Sequence, residues 1–188
     1  MTLALIGGGV RCGKSAFALT LARSLGARRL FIATAEALDA EMQARIAAHR
    51  AERGADFATL EEPLALVEAL ERADADVVVI DCLTLWLSNL LLRDASDMQI
   101  DAQVAALAQT LTTRPFHSVL VTNEVGMGLV PESALGRRFR DCAGRMHQQL
   151  APRADHVYFG ALGSMLRLRP GPVCLQRPED LHVPDPHR

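Results

Sequence analysis

Residues Gly8-Gly9-Val10-Arg11-Cys12-Gly13-Lys14-Ser15 fit the spacing G-x-x-x-x-G-K-[ST]. Glycines so placed let backbone amides curl around phosphate oxygens. An ammonium at Lys14 reaches the β- and γ-phosphates, and the Ser15 hydroxyl is a ligand for Mg2+. The chemistry is capture of a nucleoside triphosphate, ATP or GTP, with Mg2+. Such a loop needs an acidic partner for the metal. Asp81, directly after the apolar run Val77-Val78-Val79-Ile80, has that pattern; a helix cap is the simpler alternative. Of the 20 basic residues in the chain, only Lys14 is a lysine. A codon bias towards arginine accounts for the general depletion, but not for the position of the survivor.

A second group lies further on. His49 is flanked by Arg50, with Arg45 and Arg53 four residues to either side. In a helix over 39–53 these three share a face. Guanidinium groups would hold phosphate oxygens and disfavour imidazolium, leaving a neutral nucleophilic nitrogen. On spacing alone a solvated basic face is the simpler reading. The other histidines, His117, His147, His156, His182 and His187, show no ligand spacing and read as surface or packing residues.

Positioning these groups requires strands alternating with helices. Strands are expected at 3–6, 30–33, 57–60, 77–80, 118–121, 156–159 and 165–168. Helices are expected at 15–25, 39–53, 63–73, 84–93, 101–112 and 135–150. Continuously apolar strands separated by helices imply an α/β fold, a mostly parallel sheet covered on both faces. Ligands collect at the carboxyl ends of such strands, which places Thr34 and Thr122-Asn123-Glu124 on the rim beside the loop and Asp81. One catalytic domain is expected over 1–169, with an irregular Pro-rich tail over 170–188.

Bulk properties agree. The 188 residues carry 20 basic and 22 acidic side chains, net charge -2, which excludes a nucleic-acid-coating protein. Apolar residues make up 49% and aromatics 4%, so the core is built from aliphatic side chains. No apolar run approaches the roughly 18–20 residues of a membrane span, and Leu3–Ile6 runs into glycines rather than forming a signal peptide. The four cysteines include no CxxC pair and read as reduced thiols of a cytoplasmic protein.

Four stretches together resemble the bifunctional adenosylcobinamide kinase / adenosylcobinamide-phosphate guanylyltransferase family of cobalamin biosynthesis. They are the loop Gly8–Ser15; Phe31–Ala35 with Asp39–Arg53; Asp81–Trp86 with Asn89-Leu90; and Val121–Pro131 with Phe139–Arg145. The resemblance implies a RecA-like P-loop NTPase fold and a homotrimer. It implies phosphorylation of the aminopropanol hydroxyl of adenosylcobinamide, then transfer of GMP from GTP through a guanylylated histidine. The R-I-x-x-H context of that histidine falls on His49. Family nucleotide contacts map onto Gly8, Gly9, Val10, Arg11, Cys12, Gly13, Lys14 and Ser15; Ala33, Thr34 and Ala35; Arg50, Ala51, Glu52 and Arg53; Glu61; and Asp81. Trp86, Asn89 and 123–131 are candidates for corrinoid contact by family pattern only. Cys12 stands where serine is usual, and Phe57 where tryptophan is frequent. A P-loop kinase without nucleotidyl transfer, and a non-catalytic nucleotide switch, are the alternative readings.

At position 14 a slim ammonium must enter between phosphates, where a planar guanidinium fits poorly. Lys14→Arg is therefore expected to lower turnover by about tenfold or more; steady-state kinetics with saturating nucleotide check this, and near-normal turnover would overturn the reading.

Overall fold

The computed structural model describes residues 1–37 and 39–176. Eight strands form one sheet: β1 Leu3–Gly8, β2 Arg29–Ala33, β3 Ala58–Glu61, β4 Val77–Asp81, β5 His117–Val121, β6 His156–Ala161, β7 Ser164–Arg169 and β8 Cys174–Gln176. Their spatial order is β3-β2-β4-β5-β1-β6-β7-β8. The pairings from β3 through β6 are parallel; β7 and β8 add antiparallel strands at one edge.

Side chains alternate across the sheet, as a two-residue period requires. Leu3, Leu5, Val78, Ile80 and Leu120 face one core with Leu66, Trp86, Leu87, Ile100, Leu107 and Met146. Ala4, Ile6, Val77, Val79, Val119 and Val121 face the other, with Phe17, Leu21 and Ala22. The first core is covered by α3 Leu66–Glu71, α4 Leu83–Leu91, α5 Asp97–Thr113 and α6 Ala134–Leu150; the second by α1 Lys14–Leu25. The remaining helix, α2 Ala40–Arg53, is mostly exposed, and its start is fixed by the Asp39 carboxylate accepting from the Met42 amide at 2.7 Å.

Three boundaries depart from the sequence expectation by three residues or more. Pro63 and Leu64 do not join α3, because the Glu62 carboxylate accepts from the amides of Leu64 and Ala65 and holds a turn ahead of the helix. Helix α5 begins at Asp97 rather than Asp101, since Ser96 and Gln99 cap it reciprocally. Within the stretch expected as an irregular tail, Cys174–Gln176 instead pair with β7; the rest of that tail, 177–188, lies outside the described residues.

The loop after β1 needs glycine for a packing reason. Gly8 has φ 149°, and a Cβ there would lie 2.5 Å from the Gly160 carbonyl oxygen on β6 and 2.8 Å from the Cys12 sulfur. Cys12 fills the gap between Gly8 and Gly160 and is buried, so the residue in place of the usual serine acts in packing. Gly8→Ala is expected to destabilise the fold by about 2 kcal/mol or more, read as a lower midpoint in urea denaturation.

Candidate active site

Strand register brings the candidate residues together. Ala33 of β2 pairs with Asp81 of β4, Asp81 with Val121 of β5, and Val121 with Ile6 of β1. Four strands therefore end nearly level, and the segments leaving them share one rim. Beyond Ile6 the loop closes on α1, whose first residue, Lys14, follows Gly13 at φ 91° with open space around its Cα. Lys14 is buried, its Nζ donating to the Gly9 carbonyl at 3.0 Å. The free amides and positive end of α1 point at the same loop.

Asp81 ends β4, with Ser15 of α1 beside its carboxylate. Burial pushes the Asp81 carboxyl above the usual range, against the Ser15 hydroxyl and the charges of His49, Lys14 and Arg53. Asp81 is not the helix cap: Cys82 takes that position at the start of α4. Burial also raises the Cys82 thiol to about 11, which keeps it an unreactive neutral group beside the site.

Thr34 turns out to brace the rim. It is fully buried. Its hydroxyl donates to the Cys82 carbonyl at 2.8 Å and accepts from the Cys82 amide at 2.9 Å; its own amide donates to the Asp81 carbonyl, and its carbonyl accepts from Asn89 Nδ2 at 2.8 Å. Its polar atoms thus lock β2 to β4 at the level of Asp81. Ala33 and Ala35 on either side remain partly open. Asn89 and Trp86 serve packing too, Trp86 donating from Nε1 to the Leu64 carbonyl at 2.8 Å. Both are buried, whereas 126–130 is exposed.

Helix α2 is anchored at its carboxyl end. The Arg53 guanidinium lies 4.1 Å from the Phe31 ring centroid, and Phe31 meets Phe57 edge-on at 6.5 Å. Phe57 is buried and flanked by Arg23 and Arg29, so it is a packing residue. Arg53 is 4% exposed, and its Nε has no partner among the described residues. Burial and the neighbouring Arg50 lower its pKa, while Asp81 and Glu61 raise it. One turn earlier, His49 is exposed, with Nδ1 3.7 Å from a carboxylate oxygen of Glu52. Arg50 bridges to Glu61 on β3, and Ala51 lies on the exposed side of α2. The Arg45 side chain lies outside the described residues.

Sequence reasoning treated His147 as surface or packing. It sits on α6 against the rim, with Nε2 2.8 Å from Thr122 Oγ1 and Nδ1 3.8 Å from Glu124. Its place one residue from Met146, on the buried stripe of α6, is the signal that marks it.

A family model described as cobinamide kinase / cobinamide phosphate guanyltransferase matches residues 4–168. The chain belongs to that family. It is 46% identical over 172 residues to the bifunctional adenosylcobalamin biosynthesis protein CobP of Pseudomonas aeruginosa, covering 90% of this chain and 98% of that one. It is 39% identical over 180 residues to the bifunctional adenosylcobalamin biosynthesis protein CobU of Escherichia coli, covering 88% of this chain and 98% of the other. The fold is that of a RecA-like P-loop NTPase. The RadB recombinase superposes with a TM-score of 0.53 at 14% identity, covering 94% of this chain and 80% of that structure. The family match thus spans β1 to β7 and takes in every rim segment described above.

Thr34→Val keeps the shape of the brace and removes its hydroxyl, leaving the buried amide of Cys82 unpaired while its carbonyl keeps the bond from the Trp86 amide. A loss of about 2–3 kcal/mol of stability is expected, measurable by chemical denaturation of the nucleotide-free protein.

Proposed function

We propose that this chain phosphorylates adenosylcobinamide with ATP or GTP and then transfers GMP from GTP to the product, giving adenosylcobinamide-GDP and pyrophosphate. One observation supports the reading within this family: the carboxyl end of α2, which carries His49, is seated on the rim strands by Arg53 on Phe31 of β2 and by Arg50 on Glu61 of β3, and Glu61 and Asp81 both pair with Ala33 at the rim where the phosphate loop begins. A nucleotide whose end phosphates sit in the loop therefore has a nucleophile and cations beside it. Its nucleoside is assigned to the side of Ala33, Thr34, Ala35, Arg50, Ala51, Glu52, Arg53 and Glu61.

In the nucleotidyl step Nε2 of His49 attacks the α-phosphorus of GTP. The N–P bond forms as the bond from that phosphorus to the bridging oxygen breaks, and the electron pair leaves with pyrophosphate. Glu52, facing Nδ1, keeps the ring proton on that nitrogen and offsets the imidazolium charge. Arg50 and Arg53 take up charge on the phosphates, and the amides of Gly8 to Ser15 hold the departing pyrophosphate. The phosphate of the acceptor then displaces His49, which regenerates the ring.

Ser15 and Asp81 fit Mg2+: a hydroxyl and a carboxylate on one rim are hard oxygen ligands that would hold the ion together with the nucleotide's phosphates. Among the described residues no cluster of three or more His, Cys, Asp or Glu could hold a metal alone, which suits a site completed by the nucleotide. When bound, the ion neutralises charge on the transferring phosphates. No helix among the described residues is long and apolar enough to cross a membrane. We assign the enzyme to the cytoplasm, in keeping with its free cysteines, and to the homotrimeric assembly implied by its family resemblance.

Incubation with GTP labelled at the α-phosphate should yield an acid-labile, alkali-stable adduct on the wild-type protein and none on His49→Ala. No label on the wild type, or equal label on both, would overturn the nucleotidyl assignment. His49→Ala should retain phosphoryl transfer to adenosylcobinamide; loss of both activities with an intact fold would show a shared role for the histidine.

A further inference from the structure

Thr122, Glu124 and His147 form a chain of contacts beside the phosphate loop that the two steps above leave unused. The Glu124 amide donates to the Gly8 carbonyl at 3.0 Å, which ties the residue to the start of the loop. Its side chain, with 29% of its surface exposed, lines a cavity of about 460 Å3 together with Gly9, Val10, Arg11 and Cys12, and is the one carboxylate in that lining. Oε1 accepts from the Gly126 amide at 2.6 Å, which fixes the plane of the group. Behind it lies the His147 ring, 19% exposed, with Nδ1 3.8 Å from Glu124 Oε2 and Nε2 2.8 Å from Thr122 Oγ1. With the Thr122 hydroxyl donating to Nε2, the ring proton belongs on Nδ1 and faces the carboxylate. Burial keeps this imidazole below its usual pKa, in favour of the neutral ring that such an arrangement needs.

We propose that Glu124 is the general base of the phosphoryl-transfer step, and that His147 is a positioning residue holding the carboxylate towards the loop. The proposal rests on the kinase half of the function given above. The other carboxylate beside the loop, Asp81, lies on β4 and is assigned above to the metal with Ser15. In the step, the acceptor's O–H bond breaks and its proton passes to Oε2 of Glu124. The alcohol oxygen bonds to the γ-phosphorus as the bond from that phosphorus to the β–γ bridging oxygen breaks, and the electron pair leaves with the nucleoside diphosphate. The apolar side chains of Val10 and Met127 in the same lining suit an acceptor that brings a large apolar body with its hydroxyl.

Glu124→Gln tests the base cleanly, because the amide oxygen can still accept from Gly126 and the local turn survives. With adenosylcobinamide and γ-labelled ATP or GTP, kcat for Glu124→Gln should fall on the order of a hundredfold or more, with the nucleotide KM and thermal midpoint near wild type. His147→Leu should lower kcat on the order of tenfold, and His147→Asn, whose amide nitrogen replaces Nδ1, should restore most of the loss. Thr122→Val should follow His147→Leu in direction. Turnover of Glu124→Gln within about threefold of wild type would overturn the proposal while leaving the kinase reading intact. So would equal defects in His147→Leu and His147→Asn accompanied by a lowered thermal midpoint, which would mark the chain of contacts as structural. A wild-type enzyme that transfers no phosphate to adenosylcobinamide would overturn the kinase reading itself, and the assignment of Glu124 with it.

Discussion

The site depends on lateral register in a parallel sheet. Ile6, Val121, Asp81 and Ala33 are tied in adjoining rows, so four strands release their chains at one level. A two-residue period means that a slip of one residue on β4 would exchange Val79 for Val78 or Ile80 across the sheet, and would turn Asp81 away from Ser15. The apolar cores on both faces resist such a slip. The chemistry at the rim thus rests on aliphatic packing below it. The hydroxyl of Thr34 adds a direct lock between β2 and β4 at the level where Asp81 emerges.

Polar rim and apolar core divide the labour differently in α2. This helix buries little surface, and the cation–aromatic contact of Arg53 on Phe31 takes the place of a hydrophobic stripe. The anchor lies one turn beyond His49. His49, the proposed nucleophile, thus rides on an exposed helix with a single buried foot, whereas Lys14 lies on a helix packed along the sheet and Asp81 on a strand buried between the two cores. The two halves of the proposed reaction therefore draw on supports of different stiffness.

Around the loop, small residues permit close approach. Gly8 and Gly160 leave room for the Cys12 side chain, and the thiol is packed where the sequence alone suggests only a substitution in a backbone-driven motif. Several residues with polar or aromatic character are likewise spent on holding the scaffold: Asn89 on Thr34 and Pro63, Trp86 on Leu64, Asn123 on Thr84. Each satisfies a buried donor or acceptor that would otherwise be costly.

The phosphate loop, Asp81 and the alternation of apolar strands with helices were legible in the amino-acid sequence, because each depends on local spacing: a glycine pattern, a β-branched run, a helical period. His49 was also legible as a candidate, though local spacing left it balanced against a solvated basic face. Tertiary structure decided what depends on contacts between distant segments. It showed that Thr34 is a brace, that Trp86 and Asn89 are buried, and that Cys174–Gln176 extend the sheet. It also brought His147 of α6 to Thr122 and Glu124 at the end of β5, about two dozen residues away in the chain. No short-range pattern encodes such a meeting, because the partners are joined by the packing of a helix on a sheet, and that geometry exists only once the chain has folded.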